Sequence, residues 1–324
     1  MKLDKKDYKL LYSLFSMRNT TLLRSLHKIC KKYYAEDKIH ATKEYIYIEG
    51  EIPIALVAHV DTVHRMPVSE LYHDEKKNVL WSPQGLGADD RAGVFAIMRM
   101  LLDGYRPTII FCDGEEIGGV GANALIRDFP QAKEELKYMI ELDRRGARDA
   151  VFYSCDNDKF EEYITSFGFV TDWGTFSDIS IIAPAWGFAA VNLSIGYENE
   201  HSLGEYLNYQ NMFETIDRVE KMFDEVDMSD KYEYIHEVCT YDYNSYGEWI
   251  GKYMRQNKDM CNGCGKMFNF TSLMQFTYEN STFCFCQDCK KDWIVQCTMC
   301  GQDYLHMRTD EHEICDSCMK EIFG

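Results

Sequence analysis

The sequence predicts an α/β fold, a mainly parallel sheet with helices on both faces, followed by a small cysteine-rich module. Three observations carry this. Apolar runs of strand length, rich in β-branched residues, alternate with stretches of helical periodicity between residues 42 and 226. Several of the apolar runs end in an Asp, Glu or His pair, where the carboxyl edge of an open α/β sheet would bind a ligand. Nine of the 13 cysteines lie after Met260, and eight of those nine form four C-x-x-C pairs.

Taken in order, residues 4–34 show two amphipathic helices: Leu10, Leu11, Leu14 and Phe15 recur at helical spacing, then Leu22, Leu23, Leu26 and Ile29. Their lysines form a solvated face. Residues 42–48 alternate like a strand, and Ile52 to Val60 reads as a buried strand. Leu71 to Trp81 suggests a short polar hairpin. Arg91 to Leu102 is a helix with Gly104 placed to end it. Thr108 to Cys112 is a second buried strand, and residues 118–128 pass from a Gly-rich turn into a helix. Tyr138 to Leu142 and Ala150 to Tyr153 are strands; Asp156 to Phe167 is a helix with an Asp cap. A strand over Ala189 to Ser194 and a helix over Asn208 to Val226 close the domain. The expected domains are 1–228, with its N-terminal helices in 1–36, a polar Tyr-rich connector over 229–258, and a tail over 259–324.

A net charge of −18 disfavours nucleic acid or an acidic membrane as the main partner, because phosphates would be repelled. The opening M-K-L-D-K-K-D has no continuous apolar segment of a signal peptide, and no run reaches the length of a membrane span. A cytoplasmic protein is expected. An odd cysteine count, arranged in C-x-x-C pairs without an export signal, favours zinc over disulfides.

The chemistry concentrates in a few short blocks. V-A-H-V-D-T-V-H (residues 57–64) puts His59 and Asp61 at a strand end. G-A-D-D-R-A-G (87–93), D-G-E-E-I-G-G-V-G-A (113–122), I-E-L-D-R-R-G (140–146) and N-E-H-S-L-G-E-Y (199–206) follow. Acid and imidazole clusters at element ends suit a carboxylate-rich metal site. In order and spacing these blocks resemble the co-catalytic di-zinc exopeptidases, among them leucine aminopeptidase, peptidase T and glutamyl aminopeptidase, over residues 40–225. The resemblance implies a zinc-exopeptidase-like fold and the following roles. Asp89 bridges two metals, His59 and Asp143 complete one, and Glu116 and His201 the other. The metals are zinc, with cobalt or manganese as alternatives. A water bridging them is the nucleophile, Glu115 is its general base, Asp61 orients His59, and the Asp89–Asp90 peptide is cis. Arg144 and Arg145 read as surface or supporting charges, with a substrate carboxylate as the rival; Asp90 as a cap or ion pair, with a direct catalytic part as the equal alternative; Asp178 as a pocket residue or a cap; His64 and His73 as surface residues. Only 57 residues separate Asp143 from His201, and 29 separate His59 from Asp89, so the separate lid domain of the carboxypeptidase-type relatives has no room.

In the tail, Cys261-x-x-Cys264 and Cys286-x-x-Cys289 frame a 21-residue loop, and Cys297-x-x-Cys300 and Cys315-x-x-Cys318 a 14-residue loop. Both spacings suit four-thiolate structural zinc, giving a double zinc ribbon, with cross-braced pairing as the alternative. Cys284 is left over. Residues 255–324 hold 7 Lys+Arg against 10 Asp+Glu, so a structural or protein-binding tail is expected rather than a nucleic-acid module. The whole reads as a metal-dependent hydrolase of short peptides, an aminopeptidase. An N-acyl amino acid deacylase using the same site, or an adaptor on an inactive hydrolase scaffold, are the alternatives.

Overall fold

The computed structural model describes residues 3–225 and 231–236, then 258–305 except 263, 265, 270, 271, 279 and 280, and finally Cys318. It divides into two units, Met1–Glu237 and Val238–Gly324.

The first unit is built on an eight-stranded sheet. Its strands are β1 (Ile39–Ala41), β2 (Tyr45–Ile48), β3 (Ile52–His59), β6 (Pro107–Cys112), β7 (Tyr138–Arg144), β8 (Asp149–Val151), β9 (Val170–Asp172) and β10 (Ala190–Ser194), in the spatial order β1-β2-β6-β3-β7-β10-β8-β9. The four central strands β6, β3, β7 and β10 are parallel. Along β3, Ile54, Leu56 and Ala58 enter one apolar core while Ala55 and Val57 enter the other. Successive side chains point to opposite faces, so a strand covered on both sides must be apolar throughout.

Helices α1 (Lys5–Phe15), α2 (Asn19–Cys30), α3 (Ala88–Leu102), α5 (Asp158–Ser166) and α7 (Tyr209–Glu225) supply side chains to the first core. Helices α4 (Val120–Asp128) and α6 (Ile179–Trp186) supply the second. The Asp4 carboxylate caps α1 by accepting from the amides of Lys6 and Asp7. Helix α3 lies against β7 so closely that a Cβ on Gly93 would sit 2.4 Å from the Leu142 carbonyl oxygen. The expected hairpin is β4 (Tyr72–Asp74) with β5 (Val79–Trp81). It joins β11 (Tyr197–Glu198) and β12 (Tyr206–Asn208) in a second, antiparallel sheet.

The structure departs from the sequence reading in several places. Asn157, not an Asp, caps α5, accepting from the Phe160 amide. Strand β9 and helix α6 were not anticipated; α6 contains Pro184, which masks its helical pattern. Residues 231–236, read as connector, bond to the first unit: the Ala189 amide donates to the Tyr232 carbonyl and the Tyr234 amide to that of Gly187. The 57 residues between Asp143 and His201 contribute β8, β9, β10 and two helices to this unit, with no inserted lid.

Among the described residues, the second unit contains three short hairpins, Lys258–Met260 with Met267–Asn269, Met274–Tyr278 with Ser281–Phe285, and Ile294–Gln296 with Asp303–Leu305. A short helix, Gln287–Trp293, follows the second. The sulfurs of Cys261, Cys264, Cys286 and Cys289 lie within 4.8 Å of one another, as do those of Cys297, Cys300 and Cys318. Thus the first pair meets the second rather than the third, the sequential arrangement. The Cys286 amide donates to the Cys261 sulfur at 3.2 Å. Cys315, expected to complete the second group, lies outside the described residues.

Candidate active site and metal centre

Four parallel strands deliver the site from one sheet edge. His59 ends β3, Glu115 and Glu116 follow β6, Asp143 lies near the end of β7, and the chain after β10 reaches His201. Asp89 enters from the first turn of α3, where the Asp89–Asp90 peptide is cis. Such an edge gathers residues distant in sequence because each strand end leaves the sheet at the same side.

Two groups result, sharing Asp89. His59 Nε2 lies 3.2 Å from Asp89 Oδ1 and 3.5 Å from Asp143 Oδ1. His201 Nε2 lies 3.1 Å from Asp89 Oδ2 and 3.1 Å from Glu116 Oε2. In each group the candidate donor atoms are within 4.8 Å of one another. The two oxygens of Asp89 thus face different imidazoles, the geometry a bridging carboxylate requires. Glu115 Oε2 approaches to 3.9 Å of His59 Nε2 without joining either group.

The electrostatics ask for positive charge. Burial, with the Asp89 charge assisting and His59 opposing, pushes Asp143 up to about 7. Burial, then the charge of Asp143, pushes Glu115 up to about 9. One Glu116 oxygen is buried without a hydrogen-bond donor. Mixed imidazole and carboxylate donors in two linked sets fit a pair of borderline divalent cations such as zinc.

The supporting contacts are local. Asp61 Oδ1 lies 3.3 Å from His59 Nδ1. Its carboxylate also accepts from the amides of Gly114, Glu115 and Glu116 at 2.8, 3.1 and 3.2 Å. Burial opposes its ionisation, but these bonds and His59 hold it below the usual carboxylate range. Asp90 accepts from the amides of Gly93 and His59, so it caps α3 and ties it to β3.

The chain resembles known proteins at this point. Residues 47–168 match peptidase family M28. The fold of the first unit is that of the solved aminopeptidases below. Among solved structures, the first unit is similar to the aminopeptidase PepT from Bacillus cereus ATCC 10987, at 16% identity, TM-score 0.51, covering 68% of this chain and 98% of that one. A tripeptidase from Staphylococcus aureus is similar at 14% identity and TM-score 0.51, covering 68% and 97%. So is a TET aminopeptidase from a marine sediment Thaumarchaeota archaeon, at 13% identity and TM-score 0.51, covering 69% and 98%. At these identities the likeness concerns the fold. No curated protein sequence matches the chain.

Some residues that support the site are not singled out by the sequence. Glu205 is buried; its Oε1 accepts from the Asp89 amide at 3.0 Å, and its Oε2 from the Gly87 amide at 2.9 Å. His64, read as a surface residue, lies 2.6 Å from that Oε2 through its Nε2, with 9% of its side chain exposed. The signal was the acid of H-S-L-G-E-Y, four residues beyond His201. Asn192 accepts from the Asp143 amide and donates to the Asp143 carbonyl, and the Tyr197 hydroxyl donates to Asp143 Oδ1. His73, also read as surface, lies 3.1 Å from the Tyr209 hydroxyl. Arg144 is bonded to Asp172 and Arg145 to Glu200, so both serve carboxylates of this chain. Asp178 is fully buried and makes no capping bond; the Cys112 thiol is its polar neighbour.

Proposed function

We propose that the first unit is an aminopeptidase of short peptides, with His59 and Asp143 holding one divalent cation, Glu116 and His201 the other, and Asp89 both. The observation that supports this most is the division of Asp89 between two imidazoles, at 3.2 and 3.1 Å. When bound, two such cations lower the pKa of a water held between them and polarise the scissile carbonyl.

The chain's own groups then have distinct tasks. Glu115, beside the cage but outside both ligand groups, takes the proton of the attacking water and passes it to the departing amine. Asp61 holds the His59 ring in one orientation and fixes the loop that carries Glu115 and Glu116 through three amides. Tyr197 and Asn192 fix Asp143. Glu205 anchors the backbone on which Asp89 is presented.

A deacylase would use the same residues on a different amide, so substrates decide between them. A panel of aminoacyl and N-acyl amino acid amides should show turnover of free-amine substrates. Turnover confined to N-acyl substrates would replace the aminopeptidase reading, and turnover of neither would favour the adaptor. Glu115→Gln should lower turnover by about 10²–10⁴-fold, the usual worth of a general base, while metal content stays the same. Normal turnover by that variant would sink the mechanism.

A further inference from the structure

A cleft of about 400 Å³ opens beside the loop that follows β3 and the one that leads into α3. Its charged lining is cationic, Arg18, Arg65 and Arg91, beside the neutral side chains of Asn19, Thr20 and Thr62 and the ring of His64. No Asp or Glu is among the described residues that line it. That is unexpected in a chain with 53 acidic and 35 basic residues.

Three features bear on the charge of this cleft. Arg91 is 3% exposed; its guanidinium donates to the oxygens of Leu14, Phe15, Val60 and the Asn19 amide side chain, and the charges of Asp61, Glu205 and Asp113 act on it. Arg18 and Arg65 are exposed and have no ion pair among the described residues. Finally, α2 starts in this cleft. Arg18 sits at its N-cap without a side-chain capping bond, and Asn19 and Thr20 line the wall. The free amides and dipole of that first turn add positive potential in the same place.

We propose that this cleft is an oxyanion-binding site, taking a carboxylate or a phosphate group between Arg18, Arg65 and the first turn of α2. Guanidinium forks bind both groups in bidentate geometry. The site adjoins the metal-centre scaffold through His64, whose ring lines the cleft and whose Nε2 is bonded to Glu205. Gly85 leaves that ring its place: a Cβ there would lie 2.2 Å from it. Two sources of the anion are compatible with the chemistry. One is the terminal carboxylate of a short peptide, which rests on the function proposed above; the other is a free phosphate-bearing molecule.

Calorimetric titration of the full-length, metal-loaded protein with inorganic phosphate, at constant ionic strength, tests the site. Binding should weaken at least about tenfold in Arg18→Gln/Arg65→Gln, the loss expected when bidentate charged contacts are removed. Both positions are exposed, and an unchanged thermal midpoint checks that the variant folds. Trialanine and its C-terminal amide, titrated into Glu115→Gln, separate the sources. Tighter binding of the acid, lost when the two arginines are also replaced, assigns the cleft to a peptide carboxylate. Equal binding of acid and amide, with phosphate binding sensitive to the arginines, assigns it to a free phosphate. Phosphate binding of full strength in the double variant overturns the proposal, because the anion would then sit elsewhere, such as on the metals. Absence of both phosphate binding and acid preference in the wild type overturns it as well.

Discussion

Asp61 does more than orient one imidazole. Its two oxygens face His59 Nδ1 and three consecutive amides, so a single side chain sets the position of His59, Glu115 and Glu116 together. Asp61→Asn would turn an N–H toward donors that already point inward. Catalytic-metal affinity should fall by about 10–100-fold, the range seen for such supporting partners, as read by chelator competition. An unchanged affinity would show that His59 and the loop are held by other contacts. At this scale the letters were informative where a residue's chemistry is carried by its own short block. H-V-D-T-V and G-E-E-I-G-G named His59, Asp61, Glu115 and Glu116 without coordinates. They were silent on Glu205 and His64, which lie 141 positions apart and whose pairing depends on how two loops fold back. His64 looked like a surface residue because nothing near it in sequence is its partner.

Elements were legible in proportion to the length and boundaries of their apolar runs. The central strands and α3 are marked this way, since burial on two faces demands continuous apolar runs. Helix α6 was missed because it is short, apolar all round and contains Pro184, so no amphipathic stripe marks it. The seam between α3 and β7 gives a direct test of packing. Gly93→Ala would place a Cβ 2.4 Å from the Leu142 oxygen and 2.5 Å from Asp90 Oδ1. Overpacking at such a contact should cost about 1–3 kcal/mol in denaturant unfolding. A loss near zero would mean that α3 shifts freely. At the sheet edge, Glu49 meets Lys38, His40 and Lys133 at 2.8, 2.9 and 3.0 Å. Burial opposes its ionisation, yet these bonds lower it from an ordinary 4.5 to about 2. A depressed carboxylate stabilises the fold above its ordinary value and loses that contribution as pH falls toward its folded value. Glu49→Gln should therefore destabilise at neutral pH, by no more than about 1 kcal/mol given solvent screening. The gap in thermal midpoint should close between pH 4.5 and 2; a gap independent of pH would assign it to packing instead.

For the whole molecule, the division of labour follows from where the ligands lie. Every residue proposed for catalysis belongs to the unit Met1–Glu237, whereas the thiolate groups belong to Val238–Gly324. If the proposed sites are filled, metal analysis should find about four metals per chain, two labile to chelator and two held by cysteines; fewer than two labile ions would count against the paired site. Cys261→Ser should remove one thiolate-held metal and unfold the second unit, since such modules take their folding energy from the ion. Turnover by the first unit should persist. Loss of turnover together with that metal would reveal a dependence between the units. None of the described helices is long and apolar enough to cross a membrane. By itself the sequence determined the α/β class, the blocks that carry acid and imidazole groups, and the four C-x-x-C units of the tail, because each of these is written in residues close together along the chain. Only the tertiary structure decided that Asp89 stands between His59 and His201, that Glu205 and His64 stand behind it, and that three arginines from distant segments share one cleft. Those relations depend on which strand ends emerge at the same edge, and strand order in a parallel sheet is set by crossovers rather than by neighbouring letters.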